Sequence, residues 1–377
     1  MRGLDDEESE LAGELRAELV ARRRSEAALG RRSEDSLEAS IAILVDERAA
    51  ALGDPRRTRI GELILRDTVG LGPLEVLLAD PLVEEVMVNG HETVYVERGG
   101  RIEPTEVRFA SEQALRDVIE RILAPVGRRV DELSPMADAR LADGSRVNVV
   151  LPPLAVDGPS LSVRRFTAAK PDPATLVELG TLTVKLASLL ERAVRERRSI
   201  LVCGGTGSGK TTLLNALSSW INPDERIVTI EDAAELRLRQ PHVVRLESRP
   251  ASVEGRGEVR IRELLRNALR MRPDRIVIGE VRGPEALDLL TALNTGHEGS
   301  LSTVHANSPA DALRRLETLA LMAGVGLPHA AIAEQVRRGI DLVVQIERDR
   351  DGRRVVSAAS EVREVAGATG LRELWKR

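Results

Sequence analysis

Residues 204 to 211 read Gly204-Gly205-Thr206-Gly207-Ser208-Gly209-Lys210-Thr211, and this G-x-x-x-x-G-K-T run constrains the fold more than any other part of the chain. It works only where a buried strand delivers a glycine-rich loop to the start of a helix. There the glycines let successive N–H groups point inward at phosphate oxygens, and the helix aims its positive dipole end at the same place. The flanks meet that demand. Ser199-Ile200-Leu201-Val202-Cys203 is an apolar run suited to a buried strand, and Thr212-Leu213-Leu214-Asn215-Ala216-Leu217 continues as helix. Gly204 to Thr212 is therefore the expected cradle for a nucleotide's phosphates, with Lys210 on the β/γ-phosphates and Thr211 on Mg²⁺.

The cations are almost all arginine: of 55 Lys plus Arg, only Lys170, Lys185, Lys210 and Lys376 are lysines. A compact ammonium inside the loop is not replaceable by the wider guanidinium fork, so a lysine at 210 answers a chemical need. The single cysteine, Cys203, excludes intramolecular disulfides and any multi-cysteine zinc module; its place in the strand before the loop points to core packing. A net charge of −5 and only five aromatic residues speak against nucleic acid as a main partner. No apolar run approaches the roughly 20 residues needed to cross a bilayer. The acidic start, Met1-Arg2-Gly3-Leu4-Asp5-Asp6-Glu7-Glu8, is not a secretory signal, so a cytoplasmic location is expected.

Four stretches follow from the patterning. Residues 1–58, with Leu11, Leu15 and Leu19 at four-residue spacing and basic Arg22-Arg23-Arg24, read as a helical or partly disordered extension. Residues 59–168 read as a smaller mixed α/β domain, with paired strands at 84–90 and 93–100 and an amphipathic helix opening at Ser111. Residues 169–174, around Lys170-Pro171-Asp172-Pro173, read as a linker. From 175 to 377 apolar runs alternate with helical segments, the pattern of a parallel sheet covered by helices, with strands expected at 199–203, 226–230, 242–246, 275–279, 300–304 and 340–346.

Downstream of the loop, two apolar strands end in carboxylates. Arg275-Ile276-Val277-Ile278-Gly279-Glu280 would bring Glu280 to the carboxyl edge of the sheet, where it can orient or deprotonate an attacking water and support a Mg²⁺ shell. Arg226-Ile227-Val228-Thr229-Ile230-Glu231-Asp232 does the same with Glu231, a candidate for positioning water and metal, while Asp232 could equally cap the turn at Glu235. His305, closing the run Ser300-Leu301-Ser302-Thr303-Val304-His305, is placed to hydrogen-bond a γ-phosphate; His297, in a glycine-flanked loop, is the weaker candidate. Phosphoryl transfer also calls for guanidinium charge. One source is Arg140, Arg146 and Arg164; another is the helical stripe Arg262, Arg266 and Arg270.

These residues together resemble the hexameric ATPases of type II and type IV secretion and of type IV pili. The resemblance covers roughly 60–365. Gly204 to Thr211 looks like the family's Walker A loop, Thr229 to Glu235 like its Asp box, Met271 to Gly283 like its Walker B stretch, and Thr295 to His305 like its His box. Leu319-Ala320-Leu321-Met322-Ala323-Gly324 and Asp341-Leu342-Val343-Val344-Gln345-Ile346 are most similar to the tight-adherence (Tad/Cpa) pilus branch. The resemblance implies a RecA-like C-terminal domain, an N-terminal domain whose arginines reach the nucleotide, ATP and Mg²⁺ as cofactors, and a homohexamer. It further implies an inner-membrane pilus or secretion platform as partner, met at the cytoplasmic face. The tetracysteine zinc element of the type II branch cannot be built from one cysteine.

Competing readings are a RecA-like nucleic-acid motor, a small-molecule kinase or GTPase, and a scaffold without turnover. No lysine here follows an asparagine, as the guanine-reading Asn-Lys-x-Asp loop requires. Glu231 and Glu280 together disfavour the scaffold.

Overall fold

The leucine spacing near the N-terminus builds a long helix, α1 (Arg2–Ala28), in the computed structural model, which describes residues 2–28, 36–166, 171–251, 256–365 and 368–377. With α2 (Leu37–Arg48) and α3 (Asp54–Val69) it encloses a separate core of Leu15, Leu19, Ile41, Leu44, Ile60 and Ile64. Ser36 starts α2 by accepting the Ala39 N–H, which satisfies one otherwise orphaned donor. Arg22 pairs with Glu18 and Glu47, and Arg23 donates to Ser40, so these two members of the basic cluster are used inside the bundle. The chain divides into two compact units, Met1–Phe166 and Thr167–Arg377. The linker expected at 169–174 begins among residues 167–170, Lys170 included, which lie outside the described ones.

The first unit continues with α4 (Leu74–Ala79), β1 (Val83–Asn89), β2 (Thr93–Arg98), β3 (Arg101–Pro104), α5 (Glu112–Leu123), β4 (Met136–Arg140), β5 (Arg146–Val150) and β6 (Ser160–Arg164). The strands form one antiparallel sheet in the order β3-β2-β1-β6-β5-β4. Alternation gives it two unlike faces. Val86, Val88, Val94, Val96, Val147, Val149, Leu161 and Val163 are buried with Leu115, Val118, Ile119 and Ile122 of α5. Ser111 caps α5 through the Ala114 N–H, where the sequence places that helix's start.

The second unit comprises α6 (Pro173–Glu178), α7 (Val184–Arg195), β7 (Ile200–Gly204), α8 (Lys210–Ser218), β8 (Ile227–Glu231), β9 (Val243–Glu247), α9 (Ile261–Ala268), β10 (Arg275–Ile278), α10 (Glu285–Leu293), β11 (Leu301–His305), α11 (Pro309–Leu321), α12 (His329–Gly339), β12 (Leu342–Arg348), β13 (Arg354–Val365) and β14 (Ala368–Lys376). Their sheet runs β14-β13-β12-β7-β11-β10-β8-β9. From β12 to β9 it is parallel; β13 and β14 add an antiparallel edge.

Two cores explain the unbroken apolar strands. Leu201 and Cys203 face one layer with α9 to α12, while Ile200 and Val202 face the other with α7 and α8. A strand buried on both sides has no polar face, which is why its sequence shows no alternation. All six expected parallel strands are present within two residues of their expected limits. The antiparallel pair β13 and β14 was not foreseen.

Candidate active site

The phosphate loop leaves the buried end of β7, whose neighbours are β11 and β12, so the loop stands at the carboxyl edge of the parallel sheet. Gly207 (φ +68°) and Gly209 (φ +97°) take left-handed conformations that side chains rarely adopt, and α8 starts at Lys210. Lys210 is buried. Its Nζ donates to the carbonyls of Gly204 at 3.1 Å and Gly205 at 2.8 Å, so the ammonium lies along the loop's own backbone. The same Nζ is 3.2 Å from His305 Nε2.

His305 ends β11, the strand next to β7, with Gly204 as its register partner. Its Nε2 is also 2.9 Å from Glu280 Oε1. Burial first, then the Lys210 charge, lowers the histidine's pKa, which keeps the ring neutral at physiological pH. A neutral ring has one proton, so Nε2 can accept from Lys210 or donate to Glu280, never both. Lysine, histidine and glutamate are thus linked through one nitrogen.

Glu280 follows β10 by two residues. Arg282, which sequence reasoning did not single out, holds its Oε2 at 2.6 Å and reaches Asp232 at 3.6 Å; the bond to Glu280 raises the arginine's pKa. Glu280 Oε1 is buried, and among the described residues the 2.9 Å approach of His305 Nε2 is its nearest polar contact, so it is satisfied only when the imidazole proton sits on Nε2. The loop after Glu280 is held by buried Glu285, whose Oε1 accepts the N–H groups of Arg282 at 2.7 Å and Gly283 at 2.8 Å.

Glu231 ends β8, the strand beside β10, and lies on the sheet face that packs α8. Its Oε1 accepts the N–H groups of Glu235 and Leu236, each at 2.9 Å, while its buried Oε2 has no partner among the described residues. Burial pushes its pKa up to about 7, partly opposed by those two hydrogen bonds. Gly279 makes this possible, since a Cβ there would stand 2.8 Å from Glu231 Cγ. One expectation needs correcting: the turn at Glu235 is capped by Glu231, not Asp232. Asp232 instead accepts from the Ser248 hydroxyl at 3.2 Å.

The other candidates fall elsewhere. His297 precedes β11 while His305 ends it, so roughly 13 Å of strand separates them. Arg262 and Arg266 share the carboxylate of Asp288 on α10, each at 2.7 Å, and so fix α9 to α10. Cys203 is fully buried; its thiol donates to Gln345 at 2.7 Å, and burial pushes its pKa up to about 12, which makes it inert packing. Arg140, Arg146 and Arg164 belong to the first unit. They are register partners on β4, β5 and β6, so three like charges lie in a row on the sheet face opposite α5, continued by Glu85 on β1. Thr211 and Thr212 stand half-buried in the first turn of α8.

The family described as type II/IV secretion system protein matches residues 67–367. The chain belongs to that family. It is an ATPase, and its second unit has the RecA-like P-loop fold. A Mycobacterium tuberculosis protein named for conjugal transfer is 42% identical over 330 residues, 86% of this chain and 93% of its own length. The type IV secretion system protein PtlH of Bordetella pertussis is 42% identical over 244 residues, 57% of this chain and 70% of that one. Among solved structures, the pilus retraction motor PilT with bound ADP shares the fold, with a TM-score of 0.57 at 23% identity over 76% of this chain and 81% of that chain.

Proposed function

We propose that this ATPase is the motor of a pilus-assembly or secretion machine of the tight-adherence branch, working as a homohexamer at the inner face of the cytoplasmic membrane. The observation that carries the reading is the convergence of Lys210, His305 and Glu280 through a single imidazole nitrogen at the mouth of a phosphate loop. In this reading the loop N–H groups of 205–212 grip the phosphates and Lys210 leaves the Gly204 and Gly205 carbonyls for the β/γ oxygens. Lys210's departure frees His305 Nε2 to carry its proton toward Glu280 or the γ-phosphate. Glu280, released from His305 as the histidine turns to the γ-phosphate, orients and deprotonates the attacking water. Arg140, Arg146 and Arg164 supply cationic charge.

Mg²⁺ fits this donor set. Among the described residues no three His, Cys, Asp or Glu side chains cluster into a metal cage, so the ion would be carried mainly by phosphate oxygens, with the Thr211 hydroxyl as protein ligand. Glu280 and the unpartnered Oε2 of Glu231 would hold its waters. When bound, Mg²⁺ neutralises charge on the β and γ oxygens.

Lys210→Ala and Glu280→Gln test the assignment. Each should lower ATP turnover at least about a hundredfold, and Glu280→Gln should still bind nucleotide. Near-normal rates in both would sink it. The relatives' names favour a second reading, a motor for conjugative or type IV transfer. Stimulation of turnover by single-stranded DNA would select a nucleic-acid translocase; the chain's acidic charge of −5 favours a protein cargo.

A further inference from the structure

Two guanidinium groups converge on one carbonyl at the outer turn of the phosphate loop. Arg348 Nε donates to Gly207 O at 3.1 Å, and Arg354 Nε donates to the same oxygen at 3.2 Å. Both come from one hairpin: Arg348 ends β12, Arg354 opens β13, and Asp349 closes the turn by accepting the N–H groups of Asp351 and Arg353, each at 2.9 Å. Because β12 pairs directly with β7, the hairpin forms the outer wall of the loop. The side chains also lie against the loop's glycines. A Cβ on Gly207 would meet the Arg348 guanidinium at 3.2 Å, and one on Gly209 would meet Arg354 Cδ at 3.2 Å.

A trans peptide points its C=O and N–H to opposite sides. Two donors that hold Gly207 O outward therefore turn the Ser208 N–H inward. There, among the described residues, it finds only a long 3.5 Å approach to Gly205 O, beyond the ordinary range for such a bond. A phosphate oxygen is a stronger, charged acceptor for the same N–H. The cradle thus has one inward N–H aimed by residues 141 and 147 positions further along the chain.

We propose that Arg348 and Arg354 are positioning residues of the nucleotide site. They lock the Gly207–Ser208 peptide with its N–H toward the phosphates, and so set how tightly the chain holds a nucleoside di- or triphosphate rather than how fast the bond breaks. The proposal rests on the reading of 204–212 as the phosphate cradle.

The test uses the full chain with Arg348→Ala, Arg354→Ala, the double alanine variant, and lysine at both positions. ATP KM and kcat, the Kd of a fluorescent ADP analogue, and melting without nucleotide are measured. Each single alanine variant should raise KM and Kd about three- to tenfold, the loss of one charge-assisted hydrogen bond, with kcat nearly unchanged. Either arginine alone still pins the carbonyl, so the double variant should lose more than the product of the singles. The lysine pair keeps the charge but not the planar fork, and should recover little. Unchanged Kd and KM in a folded double variant would overturn the proposal, as would a fall in kcat at constant KM or full rescue by lysine. Lys210→Ala separates the two levels. If it abolishes analogue binding while the arginine variants bind normally, the positioning role fails and the cradle stands; if it binds normally, the cradle reading itself fails.

Discussion

Glu231 keeps its proton far above the ordinary carboxylate range because burial of its carboxyl outweighs the two backbone N–H groups and the Arg245 charge that favour the ionised form. The consequence for stability has a definite sign. An unfolded Glu231 releases its proton near 4.5 and the folded one near 7, so the stabilisation from proton retention is complete below about 4.5 and is lost as pH rises through about 7. At ~1.4 kcal/mol for each tenfold change in proton affinity, that interval is worth about 3 kcal/mol. Glu231→Gln keeps an acceptor for Glu235 and Leu236 but cannot titrate. Its stability relative to wild type should therefore rise between pH 5 and pH 8. Tryptophan fluorescence during urea unfolding reads this cleanly, since both tryptophans, Trp220 and Trp375, lie in the second unit. Parallel pH profiles for the two proteins would refute the assignment.

At the level of elements, the edge of the sheet opposite the site is held by a fully buried cation, Arg275 at the start of β10. It donates to Glu225 through Nε at 2.7 Å and Nη2 at 3.1 Å, and to the carbonyls of Gly299 at 2.7 Å and Val194 at 2.9 Å. Gly299 (φ +79°) is obligatory for this knot, because a Cβ there would lie 2.0 Å from the guanidinium. Arg275→Met leaves Glu225 without its main buried partner and should cost about 3–5 kcal/mol; Gly299→Ala should also destabilise strongly. Little change in the tryptophan-detected urea midpoint for either would contradict this. Arg275 also shows where sequence reading ends. Strands β7, β8, β10 and β12 were legible because burial on both faces leaves largely apolar runs, and the loop, Glu280, Glu231 and His305 were legible because each sits at or just beyond a strand's carboxyl end. The strand β13 carries serine, alanine and arginine between its valines, so neither an apolar run nor a strict alternation marks it. Arg348, Arg354 and Arg282 act through contacts that depend on sheet order or on a loop's path, and in a chain this rich in arginine no local pattern separates them from solvated cations.

Over the whole molecule, the proposed hydrolytic reading would divide its charged groups between the two units: the carboxylates and Lys210 belong to one, and the row Arg140, Arg146 and Arg164 to the other. A motor gains from such a division, because turnover then depends on how units are arranged and can be tied to their movement. If the arginines act on the nucleotide, replacing all three with alanine should remove turnover and leave ADP-analogue binding by the second unit largely intact. Whether they serve their own copy or another is decided by mixing inactive proteins. The triple alanine variant contributes intact loops and Lys210→Ala contributes intact arginines, so a mixed assembly regains active sites only if one copy's arginines complete a neighbour's. Recovery of ATPase activity on mixing, absent from either protein alone, is the expected outcome for a ring whose subunits complete one another. Absence of recovery would assign the arginines to their own chain, and full turnover in the triple variant would remove them from the reaction altogether.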